Sequence, residues 1–591
     1  MGKKNRLAMG PFRGRTVGWT SALCACLWAA QVRGADKQET DPQAVQISGE
    51  ETFIAEAVGD NGDVNESLYG DDDNYSRYIN RLYFKAQNAR FESDLRLDTT
   101  FFHQPPYRVS TENFVPGGAG YTTLDYDNDY RLEQLHGTLK GELGSVTLGD
   151  FHVSFGRGMV LSLVKMDDLA EDNRLRGARM EYRVQRKLLF TLVGGVVNTL
   201  NADPITRQIY RDDPLDRVGG LRVEWEILDA FRIAAHGVVM KPRYTAPEQI
   251  DANRLYFDRS PGVDVLSGGG SLEAHLEGIH FYLEGNGQSH TDYRVYGADA
   301  RDESGGALYG EISYDLSGFS FLAEGFFYRR WLMEGSYRGV GTLAAAAPAV
   351  YSNLVTLDVD FVPDKSVGNA AGGRLTANYF VRRIDLDLRL RCAFIKSLGG
   401  LMTTGEWNDH PPTWTVHPIL EAKKQVGRRH AEIRATAGGR FEHTARPELP
   451  DVETGSLWHV SAGATVPLAG PNSLEMEGMV RHHDLQVTEG NTYYVGSISL
   501  GYDFAGRFAA TAAYEYSDET TTEGNRIGDM SWLPSHHFAW LRASLKLPEV
   551  RKGLTLRIFA GSERGGVKCV GGVCRTYPDT VGVRFETALS F

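Results

Sequence analysis

The residues in this chain best suited to chemistry are a few cysteines, histidines and acidic clusters. Cys569 and Cys574 enclose Val570-Gly571-Gly572-Val573. In an oxidising compartment such a pair closes a small loop as a disulfide, with a metal or thiol-exchange site as the alternative. His482-His483 and His536-His537 are adjacent pairs; neighbours on a strand point to opposite faces, so each pair offers a metal one ligand at most. Asp71-Asp72-Asp73 and the set Asp125, Asp127, Asp129 are acidic, but Tyr130 and His136 stand where a calcium-binding loop needs Gly and a closing Glu. Those clusters read as solvated loops with loose divalent binding at most. Gly-x-Ser-x-Gly, a phosphate-cradling Gly-rich loop ending in Lys-Ser/Thr, and Cys-x-x-Cys-His are all absent from the sequence. These motifs give no ground to expect catalysis, a cofactor or a resident metal.

The elements that carry these residues are strands. From Phe91 to Phe101 the odd positions read Phe91, Ser93, Leu95, Leu97, Thr99, Phe101, and the even ones Glu92, Asp94, Arg96, Asp98, Thr100. Leu221, Val223, Trp225 and Ile227 alternate in the same way with Arg222, Glu224 and Glu226, as do Ile384, Leu386, Leu388 and Leu390 with Asp385, Asp387, Arg389 and Arg391. Successive strand residues point to opposite faces, so each segment has one apolar and one charged face. A soluble sandwich also alternates, but its strands run nearer to about 5–6 residues. Here the pattern holds for about 9–12, the span of a tilted transmembrane strand.

The connections alternate too. Short turns such as Gln87-Asn88-Ala89, Arg186-Lys187, Leu228-Asp229-Ala230 and Arg382-Arg383 separate long polar loops near 59–76, 102–129, 154–173, 198–216, 242–263, 289–305, 332–369, 396–413, 442–454, 484–491, 518–535 and 565–579. Turns on one side and long loops on the other are expected of an up-and-down barrel in a membrane. Twelve long loops imply 24 strands, with 22 as the fallback count if the segment 45–58 is not a strand. An even count puts both termini on the turn side.

Composition agrees with β-structure. Of 591 residues 66 are Gly, and Tyr and Phe contribute 27 each. With 42% apolar residues, 24% charged and a mean hydropathy of −0.33, the chain does not suit a polytopic helical membrane protein. Only the N-terminus carries a long apolar run. Lys3, Lys4, Arg6, Arg13 and Arg15 precede the apolar segment 17–30, and Gly34 precedes Ala35. This is the layout of a secretory signal peptide over 1–34; an uncleaved anchor and a lipoprotein acylated at Cys26 are the alternatives. Cleavage there removes six basic residues and no acidic one, so the net charge of −13 becomes six units more negative. Such an acidic exported chain is unsuited to nucleic acid. The organisation expected is a signal peptide (1–34), a short periplasmic segment (35–44) and a barrel (45–591).

The last strand is the sharpest signal. Val581, Val583, Phe585, Thr587, Leu589 and Phe591 face one way, and Gly582, Arg584, Glu586, Ala588 and Ser590 the other. An apolar alternation ending in a C-terminal Phe resembles the signature of bacterial outer-membrane β-barrel proteins, porin-like in pattern. The resemblance implies an all-β transmembrane antiparallel barrel, periplasmic termini, contact with outer-membrane lipids, and recognition by the barrel assembly machinery through the strand that ends at Phe591.

In such a barrel the charged faces line the lumen. The lumenal set then includes Asp94, Arg96, Arg179, Glu181, Arg183, Arg222, Glu224, Asp385, Asp387, Arg389, Arg584 and Glu586. It serves either as ion-paired bracing or as a field that selects ions. Tyr78, Tyr83, Tyr130, Trp225, Trp331, Trp458 and Trp540 are expected in interfacial girdles, and Cys392 toward lipid. Barrels of 16–18 strands already leave a water channel, so a wider one needs narrowing. Strands begin soon after the signal, which leaves no room for the plug of a TonB-dependent transporter. General porins fold their third loop inward, and the segment 154–168, apolar at its centre, resembles that arrangement by position. Arg157 and Lys165 facing Asp167 and Asp168 would then line a constriction; continuation of the preceding strand is the alternative. The seventh loop, 333–369, can cap the lumen or dock a partner. The function expected is a porin-like channel for passive diffusion of ions or small polar solutes, not an enzyme. The alternative is a non-conducting scaffold or secretion component filled by a periplasmic or surface protein partner.

Overall fold

A computed structural model of the protein describes residues 44–59, 75–104, 107–110, 122–125, 129–166, 171–199, 217–241, 265–293, 301–331, 369–398, 400–401, 407–408, 414–445, 452–485, 491–518, 537–550, 553–564, 566–570, 573–577 and 580–591. The signal peptide (1–34), nearly all of the segment 35–44, Asp71 to Asp73, Asp167, Asp168, His536 and the loop 333–368 lie outside the described residues.

Period-two alternation requires a sheet with two unlike faces, and the chain satisfies it by closing one sheet on itself. Twenty-four long antiparallel strands run in chain order from Gln46–Val58 to Thr580–Ser590, each paired with its neighbours. The first strand pairs with the second, Ser76–Gln87, and also with the last, which closes the barrel. Closure joins the two end strands, so that among the described residues the barrel sheet has no free terminal strand. At the seam, Gly49 and Phe591 exchange two backbone hydrogen bonds of 3.0 and 2.9 Å. The Phe591 ring lies over Gly49, too close to admit a β-carbon there, and meets Phe84 edge-on at 6.0 Å.

The connections follow the expected alternation. Tight turns join Gln87 to Phe91, Val184 to Leu188, Leu228 to Phe231 and Val381 to Leu386, whereas the other ends of the same strands are separated by long segments. Both described termini lie at the turn end. One charge changes place: Asp385 sits in the turn before Leu386–Ser397 with φ 53°, so it lies off the lumenal face of that strand.

The two faces differ as alternation demands. Every barrel strand exposes at least one large apolar side chain, among them Leu97, Leu148, Leu192, Leu221, Leu390, Ile498 and Val583, while their neighbours Asp98, Thr147, Thr191 and Val193 are buried. An apolar belt this extensive is unlike the surface of a water-soluble protein and is the exterior expected of a membrane barrel. Cys392 is paired with the exposed Leu375, on the same outer face. Tyr78, Tyr130, Trp225 and Trp458 are exposed on the outer face, as a girdle would require. Tyr83, Trp331 and Trp540 do not. Tyr83 is opposite Arg96, Trp540 lies under the Arg542 guanidinium at 4.4 Å, and Trp331 is fully buried inside the barrel. Strand parity, rather than aromatic character, decides the face.

Candidate functional site

The strand Gly144–Phe151 leaves the barrel ladder at Phe151, and the following residues build a separate small hairpin, Val153–Phe155 with Leu161–Leu163. The strand therefore does not simply continue. Gly156 (φ 59°) and Gly158 (φ 90°) make the tip, a conformation that L-residues adopt only under strain. The Gly158 N–H donates to the Phe155 carbonyl at 2.9 Å.

The hairpin is greasy and it is buried. Phe155, Met159, Val160, Leu161 and Leu163 join one apolar cluster with the lumenal side chains Leu175, Val193, Val218, Val238, Tyr282 and Tyr309. The Phe155 ring covers Gly220, where a β-carbon would come within 2.8 Å of it. Burying a side chain of this size contributes about 1.5–3 kcal/mol relative to water, so several together seat the hairpin in the lumen.

Its polar tip is received by a matching wall. The Arg157 N–H donates to Glu284 Oε2 at 2.8 Å, and its guanidinium reaches Glu311 Oε2 at 2.6 Å while lying 4.6 Å from the Tyr282 ring centre. Glu284 has no exposed side-chain surface. Its carboxylate also accepts from the Tyr282 hydroxyl at 2.5 Å and from Asn286 Nδ2 at 3.0 Å. Three donors satisfy an anion that would otherwise be costly to bury. The network extends both ways. Asn286 Oδ1 is 2.7 Å from His236 Nε2 on one side, and on the other the Tyr309 hydroxyl bridges Glu311 (3.1 Å) and Glu324 (2.8 Å), with Arg374 paired to Glu324. A polar ribbon thus crosses the strands Phe231–Lys241, Ile279–Tyr293, Arg301–Leu316, Phe319–Arg329 and Ala370–Val381, with the hairpin tip on it.

This differs from the expected constriction in its partners. Arg157 pairs with carboxylates 127 and 154 residues further along the chain, not with Asp167 or Asp168, which lie outside the described residues. Lys165 is exposed, on a two-residue rung opposite Asp172. Glu284, Glu311 and Glu324 carried no sequence signal beyond the alternation of their strands.

The other lumenal charges fall as alternation predicts and mostly pair. Arg96 reaches Asp98 at 2.5 Å, Arg222 reaches Glu224 at 2.9 Å, Arg179 lies 3.6 Å from Glu181, Arg389 lies 3.8 Å from Glu421, and Arg584 reaches Glu586 at 3.3 Å. Asp94 lies 3.7 Å from His136, beside a recess of about 750 Å³ that Glu181 and Arg183 also line. Asp387 lies opposite Lys423 in the ladder. His482 and His483 take opposite faces: His482 stacks on the exposed Trp458, and His483 is buried on Tyr493. Backbone register puts Cys569 directly across from Cys574 in a hairpin of its own.

A closed antiparallel barrel with an apolar exterior on every strand and an ion-paired interior is the architecture of bacterial outer-membrane β-barrel proteins. No family model matches the chain, and no curated protein does. Solved structures with a similar fold include the P pilus usher (PapC) translocation pore, 9% identical over 92% of this chain and 99% of that one, TM-score 0.39. A mutant ferric enterobactin receptor (PfeA) from Pseudomonas aeruginosa is 11% identical over 93% and 81%, TM-score 0.43. OccK5 from Pseudomonas aeruginosa is 12% identical over 70% and 96%, TM-score 0.33.

Proposed function

We propose that this chain is a porin-like channel of the bacterial outer membrane, passing ions or small polar solutes by diffusion through a lumen narrowed by the hairpin 153–163. The carrying observation is that hairpin: apolar flanks buried against the wall and a tip held by Arg157 on Glu284 and Glu311. A loop seated on a polar ribbon reduces the open section and presents fixed charge to whatever passes. The mechanism involves no catalytic step. In the same reading the segment 1–34 is removed on export, both termini are periplasmic, Phe591 carries the assembly signal, and Cys569 and Cys574 form a disulfide. Residues directly opposite in an antiparallel ladder have Cα separations in the disulfide range.

The second reading, a barrel filled by a protein partner, draws support from what the hairpin leaves uncovered. Elsewhere on the wall Arg434, Glu475 and Glu477 keep 35%, 52% and 45% of their side-chain surface exposed. A 24-strand barrel has room for more than one hairpin.

The purified mature protein in planar bilayers separates the two. Stable single-channel steps with a cation-biased reversal potential under a salt gradient support the channel. Silent membranes, with insertion verified, overturn it and favour the filled barrel.

A further inference from the structure

At the turn end of the lumen, Glu273, His275 and His280 converge. Glu273 and His275 are two apart on Val265–Leu276 and so share its inner face; His280 lies directly opposite His275 across the tight turn at Glu277-Gly278. Gly278 takes φ 78°, the left-handed value such a turn requires. His275 Nε2 lies 3.0 Å and His280 Nε2 3.3 Å from the same atom, Glu273 Oε1. The two rings stack with centres 4.5 Å apart at 26°. One ligand atom from each residue falls within 4.8 Å of the other two.

We propose that Glu273, His275 and His280 bind a divalent transition-metal ion of the zinc class, with water completing its coordination. Two imidazole nitrogens and one carboxylate oxygen are the donor set such ions prefer, and bonds near 2.0–2.1 Å in tetrahedral geometry place ligand atoms roughly 3.3 Å apart. The two nitrogen-to-oxygen separations, 3.0 and 3.3 Å, are close to that value. The outer contacts point the same way. His280 Nδ1 lies 3.4 Å from Glu311 Oε1, and the second oxygen of Glu273 lies 3.4 Å from Arg232. A carboxylate beside Nδ1 is the outer contact by which metal-bound histidines are commonly oriented. The other such group, Glu92, Asp94 and His136, differs here: Lys85 (2.8 Å) and Lys140 (2.5 Å) already neutralise Glu92.

Glu311 belongs to both sites. One of its oxygens faces His280 and the other holds the Arg157 guanidinium of the lumenal hairpin. A metal at the turn end therefore fixes the carboxylate that anchors the narrowing element.

The test is isothermal titration of the folded full-length barrel in detergent with Zn²⁺, with Mg²⁺ and Ca²⁺ as hard-cation controls and heat-modifiable gel mobility as the check of folding. One Zn²⁺ per chain is expected, weakened by at least about tenfold in H275Q and in H280Q, and by about 10–100-fold in E311Q through its outer contact; H482Q is expected to match the wild type. Absence of Zn²⁺ binding overturns the site, as does wild-type affinity in the H275Q/H280Q double variant or Ca²⁺ binding as tight as Zn²⁺. Conductance is not read, so failure of this site and failure of the channel reading are distinguishable.

Discussion

Two groups of lumenal carboxylates show how differently one barrel treats the same side chain. Glu284, under the hairpin, has no exposed surface and takes hydrogen bonds from a backbone N–H, a tyrosine and an asparagine. Glu475 and Glu477 share the Arg434 guanidinium at 2.9 and 2.7 Å with about half of each side chain exposed. The first arrangement is a socket, in which each lost partner strands a buried group. The second is an exposed pair whose net contribution to stability is small and whose charge stays open to the lumen. Burial, not composition, separates the two groups.

The largest effect is expected where the hairpin itself is unseated. A β-carbon at Gly156 would come within 2.2 Å of the Glu284 carboxylate, in a backbone conformation that already disfavours one. Gly156→Val should therefore raise single-channel conductance several-fold, and an unchanged conductance in a folded variant would remove the hairpin from the pore. Next is Glu284→Ala. Each buried donor left without its acceptor costs about 1–3 kcal/mol, which a shift to lower urea in the unfolding midpoint of the detergent-solubilised barrel would report. Arg157→Ala loses a more exposed pair. It should cost about 1 kcal/mol or less, yet bare the Glu311 charge and move the reversal potential toward stronger cation preference. Smallest in stability is the double change Glu475→Gln and Glu477→Gln, expected within about 1 kcal/mol of wild type. Its signature is electrical, a weaker cation preference at unchanged conductance; an unfolding shift as large as that of Glu284→Ala would dissolve the contrast between the two groups.

Much of this was legible along the chain. Alternation placed Leu97, Leu221 and Leu390 on an outer face, where they are exposed, and the turn at Arg186-Lys187 and the loop after Phe151 fell where the pattern put them. Arg157 was named because it lies in an apolar third loop expected to fold inward, with Asp167 and Asp168 as its expected partners. Its observed partners were not, because Glu284 and Glu311 read as ordinary lumenal residues of distant strands. Glu273, His275 and His280 form a local pattern that could have been found: a Glu two residues before a His, and a second His across a tight turn.

What the sequence by itself determined is the class of the fold. The period of two, strand length and the alternation of turns with loops are local properties, each set by a stretch of about ten residues, and they sufficed for a 24-strand closed barrel with its faces assigned. Which lumenal residues meet was decided only by tertiary structure. Once the sheet closes, register accumulates strand by strand around the ring, and a loop folded inward touches walls far from its own place in the chain. The pairing of Arg157 with Glu284 and Glu311 is a product of that inward fold, whereas Glu311 meets His280 through the register of two adjacent strands.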